Sequence, residues 1–260
     1  MTIINNTQRV DLIEGGKRLA RVLEALRAKV APGVTAEELD DLAEQLIRDG
    51  GDLLAGADTP AFLGYTPEGA RRPYPATLCV SINDEVVHGI PNESKKVLKE
   101  GDIVGLDLGL THNGVIVDAA ITVPVGEVSE ESKKLLRATE KALAAGIAKA
   151  IPGNHIGDIS SAIQKEIEDA GFKVVRELGG HGVGELVHEE PFIPNFGRAG
   201  EGKLLEEGMV LALEPIAAAG KEAVTLAPDG YTYRTKDGFR SAHFEHTILL
   251  EAGGARIITA

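Results

Sequence analysis

The sequence predicts an α+β fold in which a helix pair followed by antiparallel strands occurs twice along the chain. Three observations carry that expectation. Two amphipathic helix pairs are each split by a Pro-Gly, at Pro32-Gly33 and at Pro152-Gly153. Shifting the first half by 120 positions superposes their breaks and their apolar phase. Leu39 then falls on Ile159, Leu42 on Ala162, Ala43 on Ile163, Ile47 on Ile167 and Gly51 on Gly171, while Leu46 meets Glu166 and breaks the match. Between the pairs, two largely apolar runs flank Asn113-Gly114. That dipeptide is the strongest short hairpin signal, because a type I′ turn needs positive φ at both central residues.

The elements follow in order. Residues 10–30 carry Leu12, Leu19, Leu23, Leu26 and Val30 at helical spacing, and Pro32-Gly33 ends that helix. Thr35 with Glu38 three residues on forms a capping box for a second helix, which Gly50-Gly51 stops. Residues 52–76 are rich in Gly, Pro, Tyr and Thr and read as loop. Strands are expected from Thr77 to Ile82 and from Val86 to Ile90, then the hairpin from Gly101 to Val123. A third helix opens at Ser129 and buries Leu135, Leu136, Leu143 and Ile147; a fourth carries Ile159, Ile163 and Ile167 and stops at Gly171. The run from Gly179 to Gly184 reads as a glycine-rich loop, with a polar loop from His188 to Glu207. Strands from Met209 to Glu214 and from about Ser241 to Leu250 close the second half.

Composition narrows the function classes. At 260 residues, 43% apolar and 26% charged, the chain has the make-up of a globular enzyme or binding protein. No apolar run approaches the ~18 residues of a membrane span, and Met1 to Val10 lacks the apolar core of a signal peptide. Cys79 is the single cysteine, which rules out an intrachain disulfide and suits a reducing cytoplasm. A net charge of −13 argues against a nucleic-acid-binding surface and against anionic membranes.

Chemistry enters through misplaced charge. With a two-residue turn at Asn113-Gly114, His112 pairs with Val115, Gly109 with Asp118 and Asp107 with Ala120. Asp107 and Asp118 then share a face as diagonal neighbours. Glu214 and Glu245 also sit on largely apolar strands. Clustered carboxylates away from water repel one another unless a cation offsets them. Two divalent ions with one imidazole would do so, and an oxygen-rich set with one nitrogen suits Mn, Fe or Co, with zinc also accommodated. His181, flanked by glycines, is the candidate imidazole; His188 reads as a residue that supports the site or contacts substrate; His88, before Gly89, is either a third site histidine or, as is commoner for such a residue, structural; His112, His155 and His246 read as structural or surface residues. A solvated sheet face accounts for any one of these acids, but four of them ask for a common cause.

These residues stand in specific motifs: Cys79-Val80-Ser81-Ile82-Asn83 leading to His88-Gly89-Ile90-Pro91, Gly101-Asp102-Ile103-Val104 leading to Asp107, then Asp118, Gly180-His181-Gly182-Val183-Gly184 leading to His188-Glu189-Glu190-Pro191, Leu213-Glu214-Pro215 and Glu245-His246-Thr247. On them the chain resembles type I methionine aminopeptidases over nearly its whole length. The resemblance implies the pita-bread fold and a single catalytic domain over 1–260, with pseudo-repeat halves at about 9–125 and 129–251. It implies Asp107, Asp118, His181, Glu214 and Glu245 as ligands of two divalent metals, Asp118 and Glu245 bridging. It gives His88, His188 and Glu214 catalytic roles, and places Phe62, Tyr65, Tyr74, Cys79, Val187 and Tyr231 in the substrate pocket.

The implied reaction is hydrolytic removal of an initiator methionine before a small residue. The implied partners are nascent polypeptide N-termini and the ribosome, with a monomeric cytoplasmic protein and no nucleic acid or membrane. The 25 residues between His188 and Glu214 leave no room for the insertion of type II enzymes, and no large amino-terminal domain of the prolidase kind is expected. Several positions depart from the family: Phe62 where many members have cysteine, Val187 where an aromatic is common, Tyr231 for Trp, His243 for Gln, and a short insertion over 66–73. Two other readings remain open at this point: an Xaa-Pro-type dinuclear exopeptidase of the same fold, and a binding protein without catalysis.

Overall fold

The computed structural model describes residues 5–49 and 58–260. Four helices are present among them: α1 (Asn6–Lys29), α2 (Ala36–Asp49), α3 (Glu130–Ile147) and α4 (Ile156–Asp169). α1 starts four residues before the apolar pattern does, because Asn5 and Gln8 form a capping box that hydrophobic periodicity does not register. α2 is capped as expected, with the Thr35 N–H donating to the Glu38 carboxylate at 2.7 Å and the Glu38 N–H to the Thr35 hydroxyl at 3.2 Å. Ser129 caps α3 by accepting from the Ser132 N–H at 3.1 Å. The expected stop at Gly50-Gly51 lies outside the described residues. Gly33 and Gly153 take the same left-handed conformation, φ +92° and +96°, which turns the chain between the helices of each pair.

The expected hairpin forms from Ile103–His112 and Val115–Pro124, in the expected register: His112 opposite Val115, Gly109 opposite Asp118, Asp107 opposite Ala120. It belongs to a nine-stranded antiparallel sheet. Along its main path the order is Thr59–Pro60, Ile103–His112, Val115–Pro124, Glu245–Glu251, Val210–Leu213, Gly179–Gly182 and Glu189–Pro194. Leu78–Ile82 pairs beside Ile103–His112. The two halves therefore meet where Glu245 pairs with Ala120 and His246 with Ala119.

The core explains why one face of this sheet is free for chemistry. Leu106, Leu108 and Leu110 pack with Leu12, Leu19 and Leu26 of α1 and Leu39 of α2. Leu211, Leu213 and Ile248 pack with Leu135 of α3 and Ile159, Ile163 and Ile167 of α4. Each fully buried Leu or Ile contributes about 1.5–3 kcal/mol, enough to fix which face meets the helices. By strand alternation the intervening residues, Asp107 among them, point to the other face.

Several strand expectations need correction. Val86–Ile90 is instead Glu85–Val87, in a small sheet with Tyr233–Thr235 and Val224–Leu226, and ends because His88 adopts φ +58°. Gly179–Gly182 is a strand and not a loop. Its glycines serve packing: a Cβ on Gly180 would lie 2.3 Å from the Ala212 carbonyl oxygen. The polar loop after His188 contains the edge strand Glu189–Pro194. The final strand is two, Ser241–His243 and Glu245–Glu251, in different sheets with the switch at Phe244. No described helix is long and apolar enough to cross a membrane.

Asp40 on α2 anchors the Leu78–Ile82 strand by accepting from the Thr77 and Leu78 N–H groups, both at 2.9 Å. Burial outweighs those hydrogen bonds and raises its carboxyl pKa from 3.8 to about 6. The folded chain thus holds this proton more tightly than the unfolded chain, and the associated stability is lost as pH rises from about 4 through about 6. Urea unfolding of wild type and Asp40→Asn at pH 5 and pH 8 is expected to show the variant gaining relative stability at pH 8. A pH-independent difference would refute this.

Candidate active site

The free face of the sheet carries the acids. Asp107 and Asp118 come from the hairpin, His181 from Gly179–Gly182, Glu214 from the residue just past Val210–Leu213, and Glu245 from the first residue of its strand. All five, with His88 and His188, line one cavity of about 500 Å³ counting its open mouth. Asp118, His181 and Glu245 are buried and each offers a ligand atom within 4.8 Å of the others. His181 Nε2 lies 3.8 Å from Glu214 Oε1 and 3.9 Å from Glu245 Oε1. Asp107 and Glu214 line the same cavity.

Supporting hydrogen bonds hold these groups in place. His181 Nδ1 lies 2.9 Å from the Gly182 carbonyl oxygen, which requires Nδ1 to carry the hydrogen and leaves the Nε2 lone pair facing the acids. The fully buried Thr247 hydroxyl accepts from the Asp118 N–H at 2.9 Å and donates to the Asp118 carbonyl at 2.7 Å. Thr122 repeats this arrangement with His243, at 2.9 and 2.6 Å. Both pairs cross the joint between the halves. Asn195 donates to the Glu214 carbonyl at 2.8 Å.

The electrostatics are one-sided. Among the described residues, no lysine or arginine lines the cavity. Burial, then the charges of Asp118 and Glu214, push the Asp107 carboxyl far up; burial, then Glu214, raises Asp118. Glu245 rises through burial and then the charges of Asp118, Glu214 and Asp107, and Glu214 through burial. His181 and His88 are lowered to about 3, mainly by burial and then by His188. Asp107 Oδ1, Asp118 Oδ1 and Glu245 Oε1 are buried with no hydrogen-bond partner among the described residues. Acceptor atoms without donors, mutually repelling acids and a neutral imidazole with an inward lone pair are what a multiply charged cation would satisfy, so these residues fit a metal centre.

The expected pocket residues also converge. Phe62, Tyr65, Tyr74, Cys79, Val187 and Tyr231 belong to one apolar cluster. The Phe62 ring lies over Gly109, where a Cβ would come within 2.6 Å of it. Tyr74 and Tyr231 meet edge to face with centroids 5.1 Å apart. His88 and His188 line the cavity together with these residues and the acids, and both also line a neighbouring groove with Val87, Gly179 and Phe192. Sequence reasoning missed two contributors. Pro67, between Tyr65 and Tyr74, lines the cavity. His243 Nε2 lies 3.4 Å from Glu214 Oε2 and 3.8 Å from Glu245 Oε2. The alternation of His243, Glu245 and Thr247 was its available signal. Of the histidines read as structural, His112 is buried and bonded through Nδ1 to Asp58 at 2.7 Å, His155 caps α4, and His246 contacts Thr259.

A buried acid cluster with one inward imidazole, fed by an apolar cavity on a sheet backed by four helices, has the features of a metal-dependent hydrolase. Residues 11–252 match metallopeptidase family M24, and the chain belongs to that family. It is 44% identical over 260 residues to the methionine aminopeptidase of Clostridium perfringens, covering all of this chain and 99% of that one. Methionine aminopeptidase 1 of Bacillus subtilis is 44% identical over 246 residues, 95% of this chain and 94% of its own. The crystal structure of the Thermotoga maritima methionine aminopeptidase superposes with a TM-score of 0.92 at 41% identity, covering 100% of this chain and 99% of that chain. The fold is thus the pita-bread fold that the sequence led one to expect.

Proposed function

We propose that this chain is a methionine aminopeptidase of type I. It removes the amino-terminal methionine of nascent polypeptides by hydrolysis, with two divalent cations held by Asp107, Asp118, His181, Glu214 and Glu245. The carrying observation is the juxtaposition of these five residues with an apolar cavity in a chain similar end to end to methionine aminopeptidases. The donor set, eight carboxylate oxygens and one imidazole nitrogen, favours Mn, Fe or Co, with zinc also able to bind. Bound divalent ions supply Lewis acidity, polarising a carbonyl and lowering the pKa of water from about 15.7 towards about 7.

The chain's own groups do the rest. The cavity formed by Phe62, Tyr65, Tyr74, Cys79, Val187 and Tyr231 takes the methionine side chain and excludes water from it. The free α-amino group of the substrate is cationic and meets the acids, which restricts cleavage to chain ends. Glu214, beside His181 and His243, receives and passes on a proton at its carboxylate. His88 and His188 orient the peptide bond and donate to the oxygen on which negative charge develops.

Hydrolysis of Met-Ala-Ser and of Ala-Pro by protein reconstituted with Mn or Co, with chelator as control, tests the assignment. Cleavage of Met-Ala-Ser that chelator abolishes is the expected result. Cleavage of Ala-Pro alone would turn the assignment to an Xaa-Pro peptidase, and cleavage of neither to a binding protein.

A further inference from the structure

Tyr65 does more in this structure than wall the cavity. Its hydroxyl lies 3.0 Å from Nδ1 of His188, and the two rings pack 5.4 Å apart with a tilt of 59°. His188 in turn meets His181 edge to face, with centroids 4.5 Å apart. Among the described residues the Tyr65 hydroxyl has no other polar partner. A tyrosine hydroxyl has one hydrogen to give, and a neutral imidazole has one nitrogen able to accept it. Burial, then the charge of Asp118, raises the Tyr65 pKa, so the hydroxyl keeps that hydrogen. Donation to Nδ1 leaves the His188 hydrogen on Nε2.

Tyr65 is itself held. It pairs with Tyr74 through the Tyr74 N–H to the Tyr65 carbonyl at 2.8 Å, while the Gly64 N–H donates to the Tyr74 carbonyl at 2.9 Å. The inserted stretch between these tyrosines is tied down at Arg72. That guanidinium bonds both carboxylate oxygens of Glu93 and donates to the Asp229 carbonyl at 3.2 Å, and the Arg72 carbonyl accepts the Tyr231 hydroxyl. An extra length of chain is thereby a braced support for the Tyr65 ring. A catalytic side chain whose neighbour is braced in this way is pre-organised, with little reorganisation left for the reaction.

We propose that Tyr65 is a positioning residue: its hydroxyl holds His188 in the tautomer with hydrogen on Nε2, so that this nitrogen donates to the substrate carbonyl, and the Arg72–Glu93 clamp keeps the hydroxyl in place. This rests on the peptidase reading above and deepens it. The test pairs two readouts. Nitrogen-15 NMR of the imidazoles in metal-free protein, with His188 assigned from a His188→Asn spectrum, reports the tautomer without any turnover. Wild type is expected to show the Nε2–H form, and Tyr65→Phe a mixture of both tautomers. With Met-Ala-Ser, Tyr65→Phe is expected to lower kcat roughly fivefold, the worth of one hydrogen bond, with KM little changed. Glu93→Gln, outside the cavity, is expected to move both readouts the same way by less.

An Nδ1–H signal for His188 in wild type, or unchanged tautomers in Tyr65→Phe, overturns the proposal. So does a shifted tautomer with undiminished kcat. A raised KM at constant kcat would reduce Tyr65 to a pocket wall and overturns it equally. If wild type shows the Nε2–H form but cleaves no methionyl peptide, the peptidase reading fails and the hydrogen-bond assignment survives.

Discussion

Glu245→Ala and Asp118→Ala are each expected to lower kcat/KM for a methionyl peptide on the order of a thousandfold, about 4 kcal/mol of transition-state stabilisation. Both side chains are buried in the group whose ligand atoms converge within 4.8 Å, so neither can be replaced by a residue reaching in from elsewhere in the cluster. The informative control is stability. Burial, and after it the charge of neighbouring acids, raises each carboxyl, so deleting one removes a buried acid that the metal-free chain holds at a cost. The metal-free variants should melt at or above the wild-type temperature while losing turnover. Full activity in either variant would sink the site assignment, and global unfolding of both would show the acids to be structural.

The second large effect is stabilisation by metal. A ligand that binds only the folded chain adds about 2.7 kcal/mol at one hundred times its dissociation constant. For a chain of this size that raises Tm on the order of 5–10 °C. Calorimetry with and without Mn or Co should show such a rise for wild type, and titration should count two equivalents. Glu245→Ala, lacking one of the three side chains whose ligand atoms converge, should lose most of it. An unchanged wild-type Tm across the titration would contradict a metal centre built from these residues.

Much of this site was legible because its signals are local. Asn113-Gly114 set the hairpin turn, and period-two alternation then put Asp107 and Asp118 on one face. The helix pairs declared themselves through apolar phase and through Thr35 with Glu38. What escaped depends on partners distant in sequence. Gly179–Gly182 looks like a loop until Ala212 and Glu190 press against it, and then glycine is what lets a strand fit. The run from Ser241 to Leu250 alternates without interruption, yet its two ends pair in different sheets, and no local pattern records a change of partner. Phe62 lies on Gly109 and Tyr65 on His188 across long separations, so the pocket's membership was implied by family resemblance alone.

The placement of Glu245–Glu251 has a consequence for timing. It is among the last strands in chain order, yet it sits in the middle of the sheet, between Val115–Pro124 and Val210–Leu213. During synthesis the hairpin's aspartates emerge long before the segment that unites them with His181 and Glu214. Contacts of such long sequence separation form late, since loop closure must be completed first. Until that keystone slides in, the two walls have no common edge, and the Thr247 hydroxyl is not there to grip Asp118. A chain without Glu245–Glu251 therefore lacks both Glu245 and the edge that joins the two walls, and carries acids without the complete site.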